Sequence, residues 1–317
     1  MEIIRVGGKE CPCVRGTAVT ALGFFDGVHL GHRRLFDATV AEAARRGPDT
    51  YAAVFTFSDD ARQIKAGAAR LTDFETKMRL LREAGIKRVY VADFPSVMGL
   101  SAESFVCEIL VRQCKTVYAV CGFNFRFGRG ASGDASALCS LMQQAGGDAT
   151  VIPPAYLGGQ VISSSAIRTA IESGDMLHAT AMLGRPFSLT APVVRGRGYG
   201  HSEGVPTINQ VFSESGILPR SGVYACRARL SDGTEVAAVA NVGSCPTFAE
   251  KGEIHCETHL IGYSGDLYGK TLTVDFLYYL RPEKRFDSAA QLYAQIGCDI
   301  QMARALTAPS GAQGKDG

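Results

Sequence analysis

The stretch Phe25-Asp26-Gly27-Val28-His29-Leu30-Gly31-His32 (FDGVHLGH, 25–32) follows the apolar run TAVTALGFF (17–25) and opens into HRRLFDATVAEAARRG (32–47). The run before it reads as a strand ending at a turn, and the segment after it has helical spacing that stops at Gly47. His29 and His32 therefore stand three apart where a first strand gives way to a first helix. Positions i and i+3 share a helix face, so both imidazoles can point toward one ligand. Unpaired backbone N–H groups and the positive end of the helix dipole make such a start a natural phosphate site. Gly27 and Gly31 leave no side chain in the way of a nucleotide. Gly23, Phe25, Gly27 and Gly31 are accordingly expected to line it. Two isolated histidines near a turn would more simply be surface or core residues; the strand-turn-helix setting and the two glycines favour function.

Outward from this stretch, strands and helices alternate. YAAVFTF (51–57), RVYVADF (88–94), VYAVCGF (117–123) and ATVIPP (149–154) read as strands. FETKMRLLREAG (74–85), ESFVCEILVRQC (103–114) and SALCSLMQQAGG (136–147) read as the helices between them. Helices of this length between strands imply a parallel sheet covered on both faces. IRTAIESGDMLHATAMLG (167–184) looks like two short helices broken at Ser173-Gly174. From Phe187 to about Leu280 the segments become short, alternating and β-rich: FSLTAPVVRG, GVYACRARL, TEVAAVANVG, IHCETHLIGY and KTLTVDFLYYL, with turn signals at 231–233 and 264–266. That pattern predicts a small antiparallel barrel, closed by a helix over 288–306. The fold class is thus α/β plus β. The boundary is expected near Gly184, giving domains 1–183 and 184–308, and the tail 309–317 lacks core-forming residues and is expected to be disordered.

Composition narrows the function. The 317 residues are 46% hydrophobic and 20% charged with a net charge of +2, and no basic run or stripe appears, so neither a nucleic acid nor a membrane surface is an expected partner. No apolar stretch approaches the roughly 20 residues that span a bilayer. MEIIRVGGKE is too polar for a secretory signal, so the cytoplasm is expected. Ten cysteines, scattered and without a CxxC pair, read as buried or half-buried free thiols. With no long apolar patch or coiled coil legible, a monomer is expected.

Two further clusters carry chemistry. ISSSAIR (162–168) opens a helix with Ser163, Ser164 and Ser165 and places Arg168 one turn inside, a set that could bind phosphate oxygens. In the barrel region, GRGYGHSEGVPTINQ (196–210) holds glycines at 196, 198, 200 and 204, with Gly200 and Gly204 expected beside a nucleotide. Thr207 and Asn209 lie two apart on one side of an extended segment and offer the hard oxygen ligands that suit Mg²⁺. Alone, PTIN would read as an edge strand with outward polar residues. In IHCETHL (254–260), alternation puts His255, Glu257 and His259 on one face. That face could be a metal site, a solvated surface, or a general base at Glu257 beside a nucleotide.

GFFDGVHLGH and ISSSAIR resemble the HxGH nucleotidyltransferases, which grip ATP and release pyrophosphate. With GFNFRFGRGASG (122–133) they look more closely like the FMN adenylyltransferase half of bacterial bifunctional FAD synthetases, the riboflavin kinase/FMN adenylyltransferase family. GVPTINQ, SGVYACRARL, ANVGSCPTF, CETHLIG, GDLYGK and LRPEKRF resemble, in order and spacing, that family's riboflavin kinase module. The resemblance implies an HxGH-type Rossmann-like domain followed by a kinase barrel. It also implies ATP as co-substrate, riboflavin and FMN as acceptors, FMN and FAD as products, and Mg²⁺. His29, His32, Ser164 and Arg168 would act on ATP phosphates, with Asn124, Phe125, Arg126 and Phe127 on the flavin side. Thr207 and Asn209 would hold Mg-ATP, and Glu257 would activate the riboflavin 5′-hydroxyl. Two departures stand out. The family usually has an Asp-Pro-His-Pro-like stretch where this chain reads FTFSDDARQ (55–63), and a basic residue and Gly-Phe where it has His201, Glu203 and Gly204-Val205. The first departure raises an alternative, a riboflavin kinase with a weak or inactive adenylyltransferase domain.

Overall fold

Six strands form one parallel sheet: β1 (Glu2–Val6), β2 (Thr17–Leu22), β3 (Thr50–Phe57), β4 (Arg88–Ala92), β5 (Thr116–Gly122) and β6 (Asp148–Ile152). The computed structural model describes residues 1–8, 12–58, 69–195, 206–212, 216–243 and 254–308. By contacts the chain divides into two units, Met1–Ser164 and Ser165–Gly317.

In the first unit the strand order is β1-β4-β3-β2-β5-β6, with every pairing parallel. Alternate residues of β2 feed two cores. Ala18 and Leu22 pack with Phe105, Leu110, Leu138 and Met142, from helices α3 (Phe105–Gln113) and α4 (Ala135–Gln144). Val19 and Ala21 pack with Phe36, Leu80 and Leu81, from α1 (Leu30–Arg46) and α2 (Phe74–Glu83). Because both faces are covered, the strands read as nearly unbroken apolar runs. Helix α3 is wound more loosely than an α-helix, and its last turn closes from Cys114 N to Ile109 O at 2.9 Å.

β1 was not among the expected strands. Its five residues, followed at once by Gly7 and Gly8, are too few to show a period, and it gains its place by pairing along β4. Arg88 bolts the two together: its buried guanidinium donates from Nε to Glu2 Oε2 at 2.9 Å and from Nη1 to Arg15 O at 3.1 Å.

From β2 the chain steps outward through β3 to β4, then returns to lay β5 on the other side of β2. The carboxyl ends of β2 and β5 therefore flank the point where strand order reverses, which is where open α/β sheets leave a crevice for ligands. FDGVHLGH leaves from β2 and Asn124–Phe127 follows β5.

In the second unit, α5 (Ser164–Ser173) and α6 (Met176–Leu183) are separated by Gly174, whose φ of 85° few other residues tolerate. A closed antiparallel barrel follows, built of β7 (Phe187–Val194), β8 (Ile208–Phe212), β9 (Gly222–Arg229), β10 (Glu235–Gly243), β11 (Ile254–Leu260) and β12 (Thr271–Arg281). Its order is β7-β8-β11-β10-β9-β12. The PTIN segment runs into β8, which is paired on both sides and so is not an edge. Helix α7 (Ala289–Thr307) packs on β9 and β10, tied down where Arg281 Nη2 meets Asp299 Oδ2 at 2.7 Å. Cys114, Cys121, Cys226 and Cys256 are buried free thiols and Cys139 is half-buried, whereas Cys13, Cys107 and Cys298 are exposed.

Candidate active sites

The loop after β2 is held at several points. Gly23 N donates to Phe55 O at 3.2 Å and Thr56 Oγ1 to Phe24 O at 3.0 Å. The buried Asp26 carboxylate accepts from Leu71 N at 3.1 Å, Gly27 N donates to Thr72 Oγ1 at 3.3 Å, and Ser164 Oγ donates to Asp26 O at 2.9 Å. Phe25 and Val28 adopt left-handed φ values of 52° and 42° although neither is glycine. Such backbone costs about 1–3 kcal/mol per residue and persists only where surroundings enforce it. Here both side chains are buried in the core beneath the loop.

His29 is the cap of α1 rather than a helical residue, so the two histidines meet by capping and not by sharing a helix face. His29 Nδ1 accepts from His32 N at 3.2 Å, which puts any proton of a neutral His29 ring on Nε2. The rings then stack with centroids 3.5 Å apart and planes 17° from parallel. Gly31 makes room: a Cβ there would lie 3.1 Å from the His29 ring and 3.5 Å from Ile162 O. Phe25 sets its ring edge against His32 at 5.2 Å. Burial, and then the neighbouring His29, hold the His32 imidazole well below its usual range, so it rests neutral. Its Nδ1 is buried and has no partner among the described residues. With no acidic residue in its first turn, the start of α1 suits an anion.

The other expected residues of this set are distributed as follows. Ser163 and Ser164 are half-buried, Ser165 is exposed, and Arg168 lies four residues beyond Ser164 on α5, in the second unit. Asn124 is exposed in the turn closed by Phe125 N to Gly122 O at 3.0 Å. Arg126 lies 3.9 Å from Asp134 across a short ribbon. Phe127 is buried, stacked on Phe125 at 5.6 Å and against Phe105 at 5.5 Å, so its ring belongs to the core below the loop.

On the barrel, Gln210, Ala240, Cys256 and Thr258 are buried inside, which turns Asn209, Asn241 and Glu257 outward. Glu257 is in register with Asn209 on β8 and with Asn241 on β10, so a carboxylate sits between two amides on one outer row. His259 Nδ1 is 2.9 Å from Pro206 O. Since a carbonyl can only accept, that nitrogen carries the proton, and the ring straps the PTIN segment to β11. Among the described residues, the side chains of Thr207 and Asn209 make no hydrogen bond, and no group of three or more His, Cys, Asp or Glu could hold a metal. A hydroxyl, an amide oxygen and a nearby carboxylate form a hard oxygen set that fits Mg²⁺. Gly200, Gly204, His201 and the Asp59-Asp60 pair lie outside the described residues.

Comparison with known proteins places these two sets in context. The family model for FAD synthetase matches residues 12–166, and the one for riboflavin kinase matches 183–307. The bifunctional riboflavin kinase/FMN adenylyltransferase of Escherichia coli strain K12 is 33% identical over 98% of this chain and 100% of its own length. The chain belongs to this family. The enzyme of that name from Bacillus subtilis is 31% identical over 90% of this chain and 91% of its own. A solved structure described as the macrolide-efflux protein of Streptococcus pneumoniae shares the architecture with TM-score 0.85 and 26% identity, covering 96% of this chain and 99% of that one. Among the described residues here, no helix is long and apolar enough to cross a membrane.

Two features of the first site were not anticipated from sequence. Phe24, Phe57 and Phe94 form an aromatic group, with Phe24 and Phe57 centroids 4.5 Å apart. Phe24 and Phe57 share a small cleft with Arg70 and Lys77 beside Asp26. Lys77 is buried, its ammonium 3.5 Å from Phe57 O. Its signal was its spacing: Lys77 lies one turn before the buried Leu81 and thus on the inward face of α2. On the barrel, Asn241 gave no signal before register was known.

Proposed function

We infer that the chain carries out two successive ATP-dependent transfers. Riboflavin and ATP give FMN and ADP, and FMN and ATP then give FAD and pyrophosphate. The observation that carries this reading is that each unit has the polar set its reaction needs: a stacked histidine pair at a helix start in one, and an outward carboxylate in register with Asn209 in the other.

Phosphorylating an alcohol requires the hydroxyl proton to leave as the new P–O bond forms, and Glu257 would take it. Thr207 and Asn209 would hold Mg²⁺, which when bound neutralises charge on the ATP phosphates. In the other reaction the nucleophile is a phosphate already ionised near neutral pH, so no base is needed. An FMN phosphate oxygen attacks the α-phosphorus of ATP and pyrophosphate departs. His29, His32, Ser164, Arg168 and the N–H groups opening α1 would stabilise the charge that builds there. A neutral imidazole at His32 can donate to a phosphate oxygen at once, and an arriving polyanion would favour its protonation.

The adenylyltransferase is assigned to residues 1–183 and the kinase to 184–308, with Asn124 and Phe125 on the flavin side. The chain is proposed to act as a cytoplasmic monomer, with no nucleic acid or membrane partner. Incubating the purified protein with riboflavin and Mg-ATP and separating the flavins by chromatography tests the reading. FMN followed by FAD is expected, unchanged riboflavin would refute the kinase assignment, and FMN without FAD would refute the adenylyltransferase.

A further inference from the structure

Asn241 flanks Glu257 on the side opposite Asn209. Its Nδ2 donates to Glu283 Oε1 at 3.2 Å. A carboxylate only accepts, so this contact settles which end of the amide is which: nitrogen faces Glu283 and Oδ1 faces elsewhere. Oδ1 is buried, and among the described residues nothing donates to it. Buried acceptors without a donor are uncommon in native proteins and call for an explanation such as a ligand. Gly243 completes the arrangement. A Cβ there would overlap Glu283 Oε1, so the carboxylate rests where a side chain would stand. Its φ is not positive, which makes the glycine a matter of space and not of backbone freedom. Two residues of β10 and one just past the end of β12 thus combine to hold one neutral acceptor at the strand position facing Glu257.

We propose that Asn241 contacts the kinase substrate: its Oδ1 accepts a hydrogen bond from the ribityl hydroxyl next to the one that Glu257 deprotonates. Glu283 is the positioning residue that fixes the amide. This rests on assigning riboflavin phosphorylation to the barrel. A polyol presents adjacent hydroxyls of nearly equal acidity, and the site must activate only one. An amide oxygen accepts a hydrogen bond but does not remove a proton, so a carboxylate on one hydroxyl and an amide on its neighbour would select the position that reacts.

The test compares riboflavin with 4′-deoxyriboflavin, which lacks the adjacent hydroxyl, in the full-length wild-type chain and in Asn241→Ala. Losing one such hydrogen bond should lower kcat/KM for riboflavin about tenfold in the variant. The deoxy analogue should be phosphorylated equally well by both proteins, and adenylylation of supplied FMN should be unchanged. Glu283→Gln removes no volume and can turn the Asn241 amide around. It should give an intermediate loss on riboflavin and none on the analogue, and it carries the same test if Asn241→Ala fails to fold. Equal losses on both substrates, or no loss on riboflavin, would overturn the proposal. A wild-type chain that makes no FMN would instead remove the kinase reading, and this inference with it.

Discussion

Glu257 and Asn209 lie directly opposite each other on neighbouring barrel strands, with both side chains on the outer face. The pairing brings a carboxylate from one strand beside an amide side chain from another. Glu257→Gln keeps the shape and removes the base. It should lower FMN formation from riboflavin by about 10²–10⁴-fold, the usual contribution of a general base, while FMN supplied directly is still converted to FAD. Chromatography of the two reactions checks this; equal loss of both would contradict separate sites.

His32 should show the reverse. His32→Ala removes the imidazole stacked on His29 and opens the space that Phe25 now braces. FAD formation should fall by about 10²–10³-fold, as for other removed donors at a centre of developing charge, with riboflavin phosphorylation intact. Unchanged FAD formation would remove His32 from the site.

The lowered His32 pKa has a consequence for stability. The folded chain refuses a proton that the unfolded chain takes up near the ordinary value of 6.5. The contribution is therefore complete above that pH and is lost as the pH falls through it toward the lowered native value. The slope approaches about 1.4 kcal/mol per pH unit. Denaturant unfolding between pH 5 and 7.5 should show this decline, and His32→Gln should flatten it. An identical decline in the variant would assign the effect to other groups.

Asp299 accepts three contacts from Arg281, at 3.1, 3.1 and 2.7 Å, and a fourth from Gln295 at 3.0 Å. Asp299→Ala would leave the mostly buried guanidinium without its carboxylate and with only the Pro282 carbonyl and the Phe286 ring beside it, and would loosen α7 from the end of β12. A destabilisation of roughly 3 kcal/mol is expected, toward the lower end for a broken buried pair because Arg281 keeps some exposure. Thermal and urea unfolding measure it directly.

The first unit was legible because its strands are apolar on both faces and its helices end at Gly47 and Gly85, so boundaries could be read to within a few residues. β1 escaped because five residues at a sheet edge show no period. The histidine pair was found by spacing, but its geometry was not: whether His29 begins the helix or caps it depends on φ and ψ. The barrel was foreseen as five strands, and β8 became the sixth only through pairing on both sides. That same register brought Asn241 to Glu257 from sixteen residues away, a relationship no local pattern carries. Phe127, grouped by motif with Asn124 and Phe125, is buried against Phe105 and Phe125, whereas Arg126 beside it on the short ribbon is exposed, an alternation that two residues of sequence do not reveal.

The most direct test of two independent sites is complementation. His32→Ala and Glu257→Gln should each convert riboflavin and Mg-ATP to FAD at least about a hundredfold more slowly alone, the first accumulating FMN and the second leaving riboflavin. Mixed in equal amounts, they should make FAD, because FMN released by one is taken up by the other. A mixture that makes FAD no faster than either variant alone, or either variant making FAD from riboflavin at the wild-type rate, would contradict this account.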